Sequence, residues 1–358
     1  MTALPPPPDP TLAAIDAAIV AREAANDAPR GYLGMSAIGD DCARKLWFGF
    51  RWAHGSDWSA DVLRRFEDGH RGEDLMADRL RMLGKLELHT HDQDGSQFGF
   101  SAHGGHFRGH MDGALRGLIQ APVTWHVWEH KVSETAASLE VMKVKHGEKA
   151  ALKEWNPRYH AQAQVYMHYS GMTRHYLTAD TPGGRQSFAV RTDYDKAEAE
   201  RLEAKALRII QAPEPPAGVS ESPSWWQCKS CSARHVCHRG EGFRVNCRTC
   251  LHATPEMDGD ARWSCALHGR DLTVDDQARG CDQHRVIPAL IAAWAKPVDA
   301  DEEANSVTYE SAEGVRFANG DLASDVLAQG RECVSKDPAA SALREMGARV
   351  VSGGELMW

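Results

Sequence analysis

Asp112, Glu129 and Lys131 carry the chemistry that this 358-residue chain could perform. Glu129 and Lys131 close the alternating run Val123-Thr-Trp-His-Val-Trp-Glu-His-Lys131, and Asp112 lies in Gly109-His-Met-Asp-Gly113. In a strand successive side chains point to opposite faces, so Val123, Trp125, Val127, Glu129 and Lys131 share one side. That side is apolar and then turns charged, which sets a carboxylate and an ammonium at the rim of a core. Two carboxylates can fix Mg²⁺ or Mn²⁺ with an activated water, and a lysine can steady charge on a phosphate. Together these meet the needs of metal-dependent phosphodiester hydrolysis. The pattern Asp-x(16)-Glu-x-Lys is short, and many strands end in charge, so the neighbouring segments must carry the rest of the argument.

A further acid comes from Asp61 to Leu83, where Leu63, Phe66, His70, Glu73, Met76, Leu80 and Leu83 recur at helical steps and Gly84 follows. This predicts a helix with His70 and Glu73 on its apolar face. An acid there is costly unless paired or bound to a cation; an i, i+3 pair satisfying itself at a core edge is the plainer reading.

The elements that must position these groups follow from pattern. Asp9-Pro10 fits an N-cap and first-turn proline of an opening helix carrying Leu12, Ile15 and Ile19. A second helix spans about Asp41 to Trp52 with Leu46, Trp47 and Phe50. Strand-like stretches near Leu86 to His91, Gln97 to Ser101, Phe107 to Leu115 and Val123 to Val132 suggest an antiparallel meander. A helix from Pro157 to Tyr169 precedes strands near His175 to Ala179 and Ser187 to Arg191, and Asp193 can cap a helix carrying Leu202, Leu207 and Ile210. Helix, sheet, helix order predicts a mixed α/β domain. The proline-rich stretch Ala212 to Pro223 reads as a linker. The expected division is an N-terminal helix over 1–30, an α/β domain over 31–240, a cysteine-rich module over 241–295 and a tail over 296–358. The tail contains an acidic connection near residue 300 and a hairpin from Val307-Thr-Tyr-Glu and Gly314-Val-Arg-Phe.

A hydrophobic content of 42% with eleven tryptophans describes a globular chain rather than a disordered one. The net charge of −9 weighs mildly against a nucleic-acid binder, although acids that hold metal and the patch Asp299 to Glu303 account for part of it. No apolar run is long enough for a transmembrane helix. Met1-Thr-Ala-Leu-Pro-Pro-Pro-Pro8 lacks the basic and apolar regions of a signal peptide, so a cytoplasmic location is expected.

Nine cysteines in such a compartment point to metal ligation rather than disulfides. Cys228-Lys-Ser-Cys231-Ser-Ala-Arg-His-Val-Cys237 is one ligand short of a four-thiolate site. Cys247-Arg-Thr-Cys250 with Cys265 and Cys281 has the spacing of tetrahedral Zn²⁺ in a ribbon-like module, with His252, His268 and His284 as rival fourth ligands. Unligated buried cysteines are the plainer alternative, and Cys333 is left over. His89, His91, His103, His106, His110 and His126 read as ordinary strand residues.

Tyr159-His-Ala-Gln-Ala-Gln-Val-Tyr166 adds Gln162 and Tyr166 at i, i+4 on one helix face. With His70 and Glu73, Asp112, then Glu129 and Lys131, this ordered set resembles the PD-(D/E)XK nucleases of the RecB type. Among these the sequence is similar to the iron–sulfur forms, including the AddB type and the CRISPR adaptation nucleases, over about residues 30–240. The resemblance implies a restriction-endonuclease-like core, a mixed central sheet flanked by helices, beside the small cysteine-rich module. It implies that Asp112, Glu129 and His70 bind Mg²⁺ or Mn²⁺ with the backbone carbonyl of His130, that Glu73 ligates through water and that Lys131 orients the attacking water. Gln162 and Tyr166 would contact DNA. Cys42 would join Cys228, Cys231 and Cys237 around a structural [4Fe-4S] cluster. The spacing of His70 from Glu73 departs from many relatives. The implied activity is a DNA exonuclease of recombination, repair or phage-like DNA processing, with a recombinase or helicase as the kind of protein partner it would admit. A structure-selective or restriction-like endonuclease, and a non-catalytic DNA-binding or assembly subunit with structural metals, are the alternatives.

Overall fold

Asp9 caps the first helix as its position before Pro10 predicts, its Oδ1 accepting from the backbone N–H groups of Thr11 and Leu12. The computed structural model describes residues 9–25, 29–55 and 58–334. The opening proline run and the chain beyond residue 334 lie outside the described residues. In chain order the elements are α1 (Pro10–Ala25), β1 (Leu33–Gly34), α2 (Ala43–Phe50), α3 (Ala60–Arg81), β2 (Glu87–His89), β3 (Gly99–Ala102), β4 (Phe107–His110), β5 (Gly113–Arg116) and β6 (His126–Val132). Then come α4 (Ser138–His146), α5 (Glu148–Trp155), α6 (Pro157–Ser170), β7 (Arg174–Asp180), β8 (Ser187–Asp193) and α7 (Lys196–Gln211). Short helices α8 (Trp226–Lys229) and α9 (Arg234–Arg239) precede strands β9 (Ala253–Pro255), β10 (Trp263–Cys265), β11 (Arg270–Leu272), β12 (Ala295–Asp301), β13 (Ser306–Ser311) and β14 (Arg316–Asn319). Two compact units share these elements discontinuously: residues 1–30, 57–100 and 109–203 in the first, 31–56, 101–108 and 204–358 in the second.

The first unit is built on a mixed five-stranded sheet of order β2-β5-β6-β7-β8. Only β6 and β7 run parallel, in the register Glu129↔Leu177, and a parallel pair needs a long crossover. Helices α4, α5 and α6 supply it. The sequence suggests an antiparallel meander, which holds for β2, β5 and β6; the stretch Phe107 to Leu115 instead breaks at Met111-Asp112, leaving β4 outside this sheet. Neither α4 nor α5 is anticipated by pattern, because α4 buries only Leu139 while Val141 and Val144 stand exposed, so no apolar stripe marks it.

Trp128 on β6 centres the core, packed with Met76, Ala77 and Leu80 of α3 and with Leu115 and Leu118. Its indole N–H donates to Thr178 Oγ1 at 3.0 Å, which satisfies the one polar atom of that buried ring. The buried face of α3 is Ala60, Leu63, Gly72, Met76, Ala77 and Leu80, whereas Phe66, His70 and Leu83 are exposed. The helix is thus turned from the face its larger residues suggest, because its contact with β6 runs through Gly72. A Cβ at Gly72 would stand 2.4 Å from Val132 Cγ2 and 3.2 Å from His130 Nε2. Arg79 of α3 bonds the fully buried Asp180 of β7 at 3.0 Å. Helix α6 begins at Asn156, whose side chain accepts from Arg158 and Tyr159 N–H, and ends at Gly171 with φ 72°.

In the second unit Leu33↔Phe107 and Gly34↔Arg108 pair β1 with β4 in parallel. Strands β9, β10 and β11 form an antiparallel ribbon, and β12, β13 and β14 another. The hairpin read near Val307 and Gly314 is β13 with β14, while the acidic stretch near residue 300 is strand rather than connection, its register shifted between Pro297 and Asp299. Arg248 is buried over the ring of Trp52 at 3.7 Å and that of Trp263 at 4.7 Å, and donates to the carbonyls of Gly31 and Phe50 and to Gln277 Oε1. A cation buried without a carboxylate is tolerable here because carbonyls, an amide and indole faces replace its water.

Alanine outranks glycine in a free helix by about 1 kcal/mol, yet overpacking at a helix–strand contact costs about 1–3 kcal/mol. Gly72→Ala should therefore lower the urea midpoint, and Val132→Ala should recover part of the loss in the double variant. A Gly72→Ala protein as stable as the parent would contradict the close approach of α3 to β6.

Candidate active site

Backbone register brings the two acids together. The pair Gly113↔Trp128 sets Asp112 one step further along, opposite Glu129. Asp112 Oδ2 accepts from the backbone N–H of His130 at 2.8 Å, so the carboxylate is tied to the strand that carries Glu129. Lys131 Nζ donates to Glu129 Oε2 at 2.7 Å and lies 3.7 Å from Asp112 Oδ2. From α6, Gln162 Nε2 donates to the same Glu129 Oε2 at 2.8 Å. Glu129 is 1% exposed, and its other oxygen, Oε1, has no hydrogen-bond partner among the described residues.

The electrostatics follow from three carboxylates sharing one ammonium. Burial, then repulsion from Asp112, pushes Glu73 up to about 7 against the pull of Lys131. Burial and Asp112 likewise push Glu129 well above the usual carboxylate range, with Lys131 opposing. Burial alone would lower Lys131, but Asp112 and Glu129 outweigh it and hold the ammonium above its ordinary value. Tyr166 is raised by burial and then by Glu129. A bare buried oxygen and carboxylates that repel each other are what a divalent cation relieves, and an all-oxygen donor set suits a hard ion such as Mg²⁺ or Mn²⁺. Among the described residues no three His, Cys, Asp or Glu side chains already stand as a ligand shell around one point. Water would complete the coordination of such an ion, as Mg²⁺ sites commonly require.

Of the residues singled out in the sequence, Glu73, Asp112, Glu129, Lys131, Gln162 and Tyr166 are electrostatically or directly linked in this cluster. His70 is not drawn in; it is exposed, because the inward face of α3 runs through Gly72. Gln162 and Tyr166 lie on the inward face of α6. Both are buried, so Gln162 serves the Glu129 carboxylate rather than an open surface. Tyr159 was not anticipated: Lys131 Nζ lies 5.7 Å over its ring, and its i, i+3 spacing from Gln162 was the signal.

The thiols fall into two sets within the second unit. Burial raises Cys231 and Cys237; Cys42 raises both further, while Arg44, 3.8 Å from Cys237 Sγ, lowers Cys237. Cys42 heads α2, and Cys228 is buried at the end of α8. Cys247, Cys250, Cys265 and Cys281 line one cavity of about 40 Å³. Burial, then Cys250, Cys281 and Cys265, pushes Cys247 up to about 12. Of the rival histidines, His252 bonds Asn305 Oδ1 and His284 bonds Thr249 and Asn246, whereas His268 Nε2 lies 3.7 Å from Cys281 Sγ.

No family model and no curated protein matches the sequence. Among solved structures the chain is similar to the crystal structure of SSO0001, at 12% identity and TM-score 0.37 over 64% of this chain and 96% of that one. It is similar to LHK-Exo in complex with dAMP, at 16% identity and TM-score 0.34 over 54% and 88%. The alkaline exonuclease LHK-Exo from Laribacter hongkongensis matches at 15% identity and TM-score 0.32 over 54% and 90%. These likenesses are too distant to assign a family. No helix among the described residues is long and apolar enough to cross a membrane.

A cation must displace the protons that Glu73 and Glu129 retain. Because both acids are raised, with Glu73 at about 7, these two are largely protonated at pH 6 and lose their protons as the pH rises toward 8.5. Mn²⁺ should therefore raise the melting temperature more at pH 8.5 than at pH 6, by mass action on the folded state. Equal shifts at the two pH values, or none, would contradict this picture of the cluster.

Proposed function

We propose that the chain is a divalent-metal-dependent deoxyribonuclease built on a RecB-type PD-(D/E)XK core. The observation that carries this is the buried Glu129 carboxylate, held on one oxygen by Lys131 and Gln162, bare on the other and placed across from Asp112. In this reading Asp112, Glu129 and the backbone carbonyl of His130 would hold Mg²⁺ or Mn²⁺, with Glu73 contributing through water. When bound, the cation acidifies a water and polarises a phosphoryl oxygen. Lys131 is held protonated by its two carboxylates, so it acts as a hydrogen-bond donor that orients the water and steadies charge on the phosphate, not as a proton acceptor. One proton of the attacking water passes to solvent as its oxygen bonds to phosphorus, the bond from phosphorus to the leaving sugar oxygen breaks, and that oxygen takes a proton from solvent. Gln162 fixes the rotamer of Glu129, and Tyr166 backs the same site from one turn further along α6. We favour an exonuclease of DNA recombination, repair or phage-like processing.

The proposal extends to the thiols. Cys42, Cys228, Cys231 and Cys237 would hold a [4Fe-4S] cluster, supported by the mutual repulsion of Cys42, Cys231 and Cys237. Cys247, Cys250, Cys265 and Cys281 would hold Zn²⁺, supported by the cavity that the four share. Both sites would be structural, tying segments distant in sequence.

Anaerobically purified protein with Mg²⁺ or Mn²⁺ should degrade end-labelled linear DNA and spare circles, and Lys131→Ala should slow cleavage by about 10²–10³-fold, as loss of one preorganised donor does. Cutting of circles would replace the exonuclease reading by an endonuclease, and no cleavage by either protein would remove the nuclease reading. In the same preparations Cys237→Ser should lose iron and melt at lower temperature; unchanged metal content would remove the cluster.

A further inference from the structure

Two large aromatic side chains stand in water side by side. Trp225 is 44% and Trp226 67% exposed, at the start of α8 in the second unit. Adjacent exposed indoles form a contiguous apolar surface, which soluble chains rarely keep without use. The Trp225 ring and the turn that carries Trp226 are fixed. Trp225 Nε1 donates to Gln227 Oε1 at 3.0 Å, Gln227 Nε2 donates to Asp41 Oδ2 at 3.1 Å, and Cys228 N–H closes the turn on the Trp225 carbonyl at 2.9 Å. The ring centroids are 6.5 Å apart with planes at 45°, so the two indoles do not cover each other's faces by stacking.

Charge decides what such a surface fits. From Ser224 to Arg239 the chain carries Lys229, Arg234 and Arg239 with His235 and His238 and no acid, in a protein of net charge −9. Lys229 is exposed, Arg234 is half-buried, and neither forms an ion pair among the described residues, while Arg239 is paired with Glu241. Exposed indoles followed within one short helix by Lys229, and a few residues later by Arg234, match stacked bases on a phosphate backbone. A protein partner would have to bring acids to the same place, whereas every nucleotide carries both complements. We propose that Trp225 and Trp226 form a stacking platform for the bases of an unpaired DNA strand, whose phosphates Lys229 and Arg234 meet. The proposal rests on DNA as the substrate, and it names single-stranded character as what this surface selects.

The test is anisotropy of a labelled oligothymidylate, and of a duplex of equal length, with the anaerobically purified full chain without added Mg²⁺ or Mn²⁺, where cleavage is absent. Trp226→Ala should raise the single-strand Kd about tenfold, Trp226→Phe should restore most of the affinity, and duplex binding should change less than about twofold. Lys229→Glu should flatten the dependence of binding on salt. An unchanged single-strand Kd in Trp226→Ala, an equal loss for duplex, or light scattering in which Trp226→Ala dissociates a wild-type oligomer would each overturn the platform. Wild-type protein that binds the single strand through Trp226 yet never cleaves DNA with metal would uphold the platform and remove the nuclease reading alone.

Discussion

The Glu129 carboxylate is the constraint around which the first unit is arranged. A buried acid with one bare oxygen is unfavourable by itself, and its neighbours temper the cost without removing it. Lys131 and Gln162 share Oε2, Asp112 adds repulsion from the facing strand, and Oε1 is left for a ligand the protein does not supply. The sheet topology serves this arrangement. Antiparallel pairing of β5 with β6 sets Asp112 across from Glu129, and the parallel pairing of β6 with β7 demands the helical crossover that ends in α6 and delivers Gln162. Gly72 brings α3 against the Val132 and His130 side chains of β6, and the next residue, Glu73, joins the same electrostatic cluster.

Stability and chemistry pull against each other here. Metal-free, Glu73 and Glu129 are held toward their neutral forms by burial and by repulsion from Asp112; a cation would favour their ionised forms. The lysine is the exception, since Asp112 and Glu129 outweigh its burial and favour its charged form. A permanently protonated group beside a cation site fits a donor role better than a base.

Much of this was legible in the sequence, and the reasons are local. Alternation ending in charge located β6, helical spacing located α3 and α6, and a turn glycine between alternating runs located the hairpin of β13 and β14. The orientation of α3 was legible only in part: Leu63, Met76 and Leu80 of the apolar stripe are buried, but Phe66 and His70 are not, because the helix meets the Val132 and His130 side chains of β6 through Gly72. Helix α4 left no stripe because it buries only Leu139, and α5 is eight residues long with only Ala151 and Leu152 buried, too short for its pattern to stand out. The interleaving of the two units was hidden for a different cause: a linker such as Ala212 to Pro223 marks where the chain loosens, not which segments return to pack together. The order Cys42 and then Cys228, Cys231 and Cys237 placed all four in the second unit only once that folding was known.

The central claim is that the bare Glu129 oxygen faces a cation. The most direct measurement is the anomalous difference map of a crystal soaked in MnCl₂. The account predicts a peak within about 2.2 Å of oxygens from both Asp112 and Glu129, as Mn²⁺–carboxylate coordination requires, with Lys131 retained beside it. A map with no peak there, or with Mn²⁺ only at other acids, would contradict it.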